Sequence, residues 1–508
     1  MKLHNRNGEQ STYFVTLGEQ MSNLEHHFSK FKKHIVGDRL EHVFDNEKKT
    51  LLYADWTASG RLYQPIEDFI TDRLGPYIAN THTETTLTGT TMTRAYHEAQ
   101  HMIKKHVNAN ENDVLITAGS GMTAVVNKFQ RILGLRISEP HKTVAQTAIK
   151  DKPIVIVTHM EHYSNQTSWA ECCVDLHILR RGKDGLPDLD HLRDILERHK
   201  DRSLKIGSFS GCSNVTGIFT PVHEMAEIMH EYGGLCFVDY AASAPYVNID
   251  MHPETPNQHL DAVFFSPHKF LGGPGSSGVL LFNKELYKNR IPDHPGGGTI
   301  LSMNVFGQHS FLDDIETRED GGTPGFLQAI RAALSIRLKE EMGTQNIHDR
   351  EEELKTIFLE KLTKNPNIII LEPDQMKRLS IISFFVKGKH HNLVVKILND
   401  RYGIQTRGGV SCAGTYSHIL LGQESNNLEM GCKANTDDDE ANTGWVRVSL
   451  HPTMSDKDVL FIADAILEVV EHADEWRKDY EFNPKTGEFN KVNENENYVS
   501  LNEFKPLG

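Results

Sequence analysis

Lys269 follows the apolar pair Phe264-Phe265 and stands between Ser266-Pro267-His268 and the glycine-rich stretch Gly272-Gly273-Pro274-Gly275. A lysine that enters a shielded pocket has its ammonium pKa lowered and can form a Schiff base with a carbonyl group. A lysine in a solvated loop is an ordinary surface charge, and both readings of Lys269 are open on this stretch alone. The hydroxyl, imidazole and glycine N–H groups beside it suit a phosphate. Four other stretches carry comparable chemistry. Thr117-Ala118-Gly119-Ser120-Gly121-Met122-Thr123 reads as a glycine-rich turn into a helix, offering backbone N–H groups and a positive helix end to an anion, or as a plain tight turn. It lacks the P-loop lysine, which argues against a nucleoside triphosphate. His162, in Thr158-His159-Met160-Glu161-His162, is a flat ring able to stack on another or a simple loop histidine. Asn214, in Ser213-Asn214-Val215-Thr216-Gly217, offers an amide. Asp239 closes the apolar run Leu235-Cys236-Phe237-Val238, where a carboxylate needs a cation or donor to offset its desolvation.

Each of these stretches follows a short apolar run: Val114-Leu115-Ile116-Thr117, Ile154-Val155-Ile156-Val157, Ile206-Gly207-Ser208-Phe209, the run before Asp239, and Ala262-Val263-Phe264-Phe265. Amphipathic stretches such as residues 221–232 lie between several of them. Continuous apolar strands imply a sheet covered on both faces, hence a mainly parallel α/β architecture. Ligands of such sheets sit at the carboxyl ends of the strands. A phosphate cradle, a stacking imidazole, an amide, a carboxylate and a lysine at five strand ends together match the needs of pyridoxal phosphate.

The remaining chain supports that architecture. The 508 residues imply two or three domains. We expect an N-terminal segment over 1–45 packing with the small domain, a large cofactor-binding domain over 46–328, a small C-terminal domain over 329–480 and a tail over 481–508. A helix is predicted near residues 22–33, a strand at Leu51-Leu52-Tyr53-Ala54-Asp55, and a long helix after Gly325 leading into the small domain. Ile368-Ile369-Ile370-Leu371, residues 380–386 and residues 445–450 read as its strands, and residues 456–471 as a helix. The polar stretch 422–443, with Asp437-Asp438-Asp439-Glu440, reads as a mobile insertion. A hydrophobic fraction of 38%, a charged fraction of 24% and a formal net charge of -15 fit a water-soluble protein without a nucleic-acid partner. No signal-peptide core or apolar run of membrane-spanning length is visible, so a cytoplasmic location with no membrane partner is expected. The six cysteines show neither disulfide-framework nor zinc-type spacing, and Cys172-Cys173 reads as packing. No metal is expected.

The ordered set Gly119-Ser120-Gly121-Met122, Met160-Glu161-His162, Ser213-Asn214-Val215-Thr216-Gly217, Asp239 and Ser266-Pro267-His268-Lys269 resembles the class V aminotransferase family of fold-type I pyridoxal-phosphate enzymes. The resemblance is closest to its cysteine desulfurase and selenocysteine lyase branch, and runs from about residue 53 to about residue 470. It implies a large domain with a mainly parallel, seven-stranded-type sheet covered by helices and a smaller α+β C-terminal domain, and further that Lys269 forms the Schiff base with the cofactor, that Asp239 pairs with the ring nitrogen and that His162 stacks on the ring. Asn214 would lie near the ring hydroxyl and the substrate, while Ser120, Gly121, Met122, Ser266 and His268 match phosphate-binding positions. Gly321-Gly322-Thr323-Pro324 resembles a loop whose threonine reaches the neighbouring protomer's phosphate, which implies a homodimer with the site at its interface. Ala242 stands where the family often has Gln, removing one hydrogen bond to the ring hydroxyl.

The substrate end decides the reaction. Arg407-Gly408-Gly409-Val410-Ser411-Cys412-Ala413-Gly414 resembles the desulfurase loop that holds a nucleophilic cysteine over the cofactor, with Cys412 in that place. Arg447 matches a carboxylate-binding arginine and Arg407 a second one; two guanidinium groups suit an amino-acid carboxylate, and a structural ion pair is the alternative for either. The resemblance thus implies release of sulfur or selenium from cysteine or selenocysteine, leaving alanine and a Cys412 persulfide, with a protein sulfur acceptor as a possible partner. A class V aminotransferase, epimerase or β-lyase on another amino acid is the alternative, and a non-catalytic scaffold is a third reading that retention of Lys269 and Asp239 disfavours.

Overall fold

The computed structural model describes residues 22–44, 47–81, 83–422, 444–492 and 499–506. Its main sheet has seven strands: β1 (Asp113–Ala118), β2 (Ile154–Val157), β3 (Asp175–Ile178), β4 (Lys205–Ser210), β5 (Leu235–Asp239), β6 (Ala262–Phe265) and β7 (Gly278–Asn283). They lie in the order β1-β7-β6-β5-β4-β2-β3. All adjacent pairs from β6 across to β3 are parallel, and β7 runs antiparallel to both β1 and β6. The five anticipated apolar runs are β1, β2, β4, β5 and β6. The strand number is the one expected, but the segments that form β3 and β7 were not among the runs read from the sequence. β3 is a half-buried edge strand of mixed polarity, and β7 follows a glycine- and serine-rich stretch that reads as a ligand loop but also turns the chain back.

Alternate residues of the strands feed two separate cores, because successive side chains of a strand point to opposite faces. Val263 and Phe265 join Ile154, Val238 and Leu281 under the paired helices Leu87–His106 and Phe326–Met342. Phe264 joins Val155, Ile206, Phe237 and Leu280 under the helix Met122–Ile132. Continuous apolar strands follow from this two-sided burial, and the carboxyl ends of the parallel strands are left as the place where polar groups gather.

A second, four-stranded antiparallel sheet comprises β8 (Ile368–Ile370), β9 (Ile381–Val386), β10 (Arg407–Gly409) and β11 (Trp445–Ser449), in the order β8-β9-β11-β10. Helices Thr344–Leu362, His391–Tyr402 and Asp456–Trp476 cover it. The last of these starts with a reciprocal capping box between Ser455 and Asp458. Gly403, left-handed at φ 70°, stops the middle one and turns the chain into Ile404–Gln405, which pairs in parallel with Leu52–Tyr53. That pairing brings the segment after Tyr53 alongside the small sheet, and Asp55 bridges to Ser449. The predicted strand at 51–55 is thereby shortened to two residues.

The helix Asn23–Lys32, capped by Ser22, buries Phe28, and Lys32 makes an ion pair with Asp458. Within the expected tail, Tyr480–Asn483 and Glu488–Lys491 form a hairpin that buries Phe489 against His390; the aromatic residues scattered through a polar stretch supply that contact. The expected insertion lies outside the described residues from 423 to 443. Replacement of Phe264 by Ala, at full burial in the central sheet, should cost about 3–5 kcal/mol, seen as a lower midpoint of thermal unfolding with unchanged helical circular dichroism below it.

Candidate active site

Loops leaving the carboxyl ends of β1, β2, β4, β5 and β6 meet at one cleft, which the small sheet closes. Met122, His162, Asn214, Asp239, Ser266, His268 and Lys269 line it from the large sheet, and Arg407, Cys412 and Arg447 from the small one. Gly121 adjoins the wall, whereas Ser120 and Thr323 are exposed and lie outside the cleft of their own chain.

The β1 turn is built by steric necessity. Gly119 has φ +57°, and a Cβ there would sit 2.3 Å from the Ala124 Cβ. The helix Met122–Ile132 has no capping side chain of its own; instead the Met122 N–H donates to the distant Ser266 Oγ at 2.8 Å. A Cβ on Gly121 would lie 3.1 Å from that Oγ and 3.4 Å from the His268 Nε2, so the missing side chain keeps open a space walled by a hydroxyl, an imidazole and a helix N-terminus. An anion suits that space.

Lys269 ends a short turn, Pro267–Lys269, that is pinned from both sides. Gly60 N–H donates to the His268 carbonyl at 2.9 Å, and a Cβ on Gly273 would meet the Pro267 carbonyl oxygen at 1.8 Å. Burial pulls the Lys269 ammonium down to about 8; Asp239 opposes this, while Arg447 and Arg407 add to it. Burial pushes the Asp239 carboxyl up to about 7, against the Ala241 N–H that donates to its Oδ1 at 2.8 Å and against Lys269. A cationic ring N–H would supply the partner this carboxylate lacks.

His162 and His268 are each held down to about 4, first by burial and then by Lys269, so both rings are neutral at pH 7. The Ser164 N–H donates to His162 Nδ1 at 3.1 Å, which puts the ring proton on Nε2. Beside His162, the buried Glu161 anchors the β2 and β4 loops together. Its Oε1 accepts from the Thr158 N–H at 3.1 Å, the Thr158 hydroxyl at 2.6 Å and the Ser210 N–H at 2.9 Å. Its Oε2 accepts from the Asn165 amide at 2.8 Å and the Ser210 hydroxyl at 2.7 Å. Burial still raises the Glu161 carboxyl above its ordinary range.

The Cys412 loop is strained and clamped. Ser411 and Cys412 are consecutive left-handed residues, φ +52° and +57°, each costing about 1–3 kcal/mol. The Tyr163 N–H holds the Cys412 carbonyl at 2.8 Å and the Asn214 amide holds the Ser411 carbonyl at 2.7 Å. The Asn214 Oδ1 is buried without a partner, an acceptor waiting for a hydroxyl. Cys212 also lines the cleft, but its thiol is fully buried, donates to the Gly217 carbonyl at 3.1 Å and is pushed far up by burial. Cys412 is half-exposed. Ala242 contributes only a methyl group to the wall.

The two arginines differ. Arg447 is buried, donating to Asp55 Oδ1 at 2.6 Å and to the Asn214 carbonyl at 2.9 Å. Arg407, 41% exposed in its side chain, comes only within 4.0 Å of Asp55 Oδ2. Asp55 was missed because its strand belongs to the small-sheet side, outside the strand ends that locate the other groups. Thr57, Ser164 and Ser210 were missed too; the signal for Thr57 was its place four residues beyond that short strand, and no spacing marked the other two.

The aminotransferase class-V family model matches residues 52–461. A probable cysteine desulfurase of Staphylococcus epidermidis is 30% identical over 373 residues, covering 72% of this chain and 84% of the relative. A cysteine desulfurase of Haloferax volcanii is 26% identical, covering 72% and 82%. Among solved structures, an apo cysteine desulfurase of Thermococcus onnurineus superposes with a TM-score of 0.66 at 24% identity, over 83% of this chain and 95% of that one. That likeness shows the α/β fold, with the expected large mainly parallel sheet and smaller second sheet.

Glu161→Gln would set an amide NH2 among groups that already donate, and should destabilise the protein by about 1–3 kcal/mol, measured by denaturant titration. Glu161→Asp, which keeps the acceptor, should lose less.

Proposed function

Since the chain belongs to the class-V aminotransferase family, we propose that it is a pyridoxal-phosphate-dependent cysteine desulfurase, releasing sulfur from L-cysteine, or selenium from selenocysteine, with alanine as the other product. The observation that carries this reading is a half-exposed cysteine on a strained, clamped loop in the same cleft as a buried lysine. The cleft fits the cofactor: an anion space beside Gly121, a buried carboxylate at Asp239 whose described hydrogen bond comes from a backbone N–H and not from a cation, and an orphaned acceptor at Asn214. When bound, pyridoxal phosphate supplies an electron sink for bond breaking at the substrate's carbons.

In this reading Met122 N–H, Ser266 and His268 hold the phosphate, Asp239 faces the ring nitrogen, and neutral His162 stacks on the ring. Gly121 borders the same cradle, whereas Ser120 is exposed outside it. Arg407 takes the substrate carboxylate. Arg447 can share it only by loosening its bond to Asp55. Lys269, titrating near 8, takes the α-proton and returns one. The Cys412 thiolate attacks the substrate sulfur: an S–S bond forms, the Cβ–S bond breaks, and its electron pair stays on carbon, which gains a proton to become alanine. Cys412 is left as a persulfide for a thiol acceptor, such as a sulfur-carrier protein. Thr323, exposed and away from its own cleft, is available to a second copy in a homodimer. Among the described residues no helix is long and apolar enough to cross a membrane.

Supplied with L-cysteine, the wild type should form alanine; Lys269→Ala should form none, and Cys412→Ser should lose at least about a hundredfold in rate while still binding the cofactor. Alanine and sulfide production undiminished in Cys412→Ser would favour direct elimination, and a keto acid product would favour transamination. Lys269 is a nucleophile only when deprotonated, so the rate at which cofactor-free protein captures pyridoxal phosphate should rise about tenfold per pH unit below about 8 and level off above it, followed by absorbance.

A further inference from the structure

At the opposite end of the main sheet from the cleft, His230, His259 and Asp261 converge. His230 lies in the last turn of the helix Val222–Glu231, and Asp261 immediately precedes β6. The two imidazole rings stack with centroids 4.0 Å apart and planes 9° from parallel. His230 Nε2 is 2.9 Å from Asp261 Oδ2, and His259 Nε2 is 3.8 Å from Asp261 Oδ1. His230 Nδ1 lies 2.7 Å from the Asn257 carbonyl oxygen, which only accepts, so Nδ1 carries a proton. In the neutral ring Nε2 is then a bare lone pair aimed at a carboxylate oxygen. Something positive must lie between them, either a second proton or a metal ion.

A second proton accounts for the His230 contact. It leaves His259 Nε2 3.8 Å from the other carboxylate oxygen, beyond hydrogen-bonding reach. One nitrogen from each ring and a carboxylate oxygen lie within 4.8 Å of one another, and no other such group of three occurs among the described residues. An ion about 2.0–2.2 Å from each ligand requires the His259 ring to tilt out of its stack on His230, because in-plane lone pairs of parallel rings do not converge; its side chain is 43% exposed, which leaves room for that movement. The supporting bonds of a metal site are present. The Asn257 carbonyl fixes the His230 tautomer, and the Cys236 N–H holds Asp261 Oδ2 at 2.8 Å.

We propose that His230, His259 and Asp261 bind a divalent transition-metal ion of the zinc class, with a fourth position open to water. Two imidazoles and one carboxylate suit that ion over magnesium or calcium, which prefer all-oxygen sets. The ion would tie the end of a helix to the start of β6, the strand that leads to Ser266 and Lys269.

The test is a zinc titration of metal-stripped, cofactor-loaded protein against a chromogenic chelator, in a Cys412→Ser background that removes the half-exposed thiol. One zinc per chain is expected, with a rise in the thermal midpoint. His259→Ala, at a partly exposed position, should weaken binding at least about tenfold, and Asp261→Asn should do the same. No zinc uptake by the parent, or equal affinity in His259→Ala, would overturn the proposal. Neither readout depends on sulfur release.

Discussion

Two opposite charges kept out of water, Asp239 at the end of β5 and Lys269 just beyond β6, set the terms for the rest of this protein. Burial drives the aspartate up to about 7 and the lysine down to about 8, and each restrains the other. Desolvated pairs of this kind contribute little to stability and can be less favourable than apolar packing. The fold offsets them with apolar strands buried on both faces, and the pair lies at the carboxyl edge of those strands. The result is an amine that is partly neutral near pH 7 and a carboxylate that lacks a full partner until a cationic ligand arrives.

The small sheet completes the cleft through contacts that also couple it to the large one. Arg447 reaches back to the Asn214 carbonyl, and the Asn214 amide holds the Ser411 carbonyl. The same loop is thus fixed by residues of both sheets, and the strain at Ser411 and Cys412 persists because these bonds over-determine it. Asp55 is the competing element. It neutralises Arg447 and leaves Arg407 as the more available guanidinium.

The large sheet and most of the cleft were legible in the sequence because one physical rule connects them: polar or glycine residues that directly follow a continuous apolar run lie at a strand's carboxyl end. That rule found Gly121, His162, Asn214, Asp239 and Lys269. It failed for Asp55, whose two-residue strand pairs with Ile404–Gln405 rather than with the main sheet. It was also silent on β7, an apolar run that returns antiparallel after a loop rich in glycine. The hairpin at 480–491 was hidden because two of its anchoring aromatics, Phe482 and Phe489, are isolated in a polar stretch. Thr323, read as reaching a neighbouring protomer, is exposed and outside the cleft of its own chain. Cys412 was located by family resemblance, since nothing in local periodicity marks a strained cysteine loop.

What gives the cleft its proposed chemistry is the meeting of Lys269 and Cys412 from opposite sheets. Mass spectrometry of the cofactor-loaded protein after brief exposure to L-cysteine, with the peptide spanning Cys412 isolated under non-reducing conditions, tests this most directly. The account predicts one added sulfur atom on Cys412, removed by a thiol reductant. An unmodified Cys412 during active turnover of cysteine, or sulfur found on another cysteine instead, would contradict it.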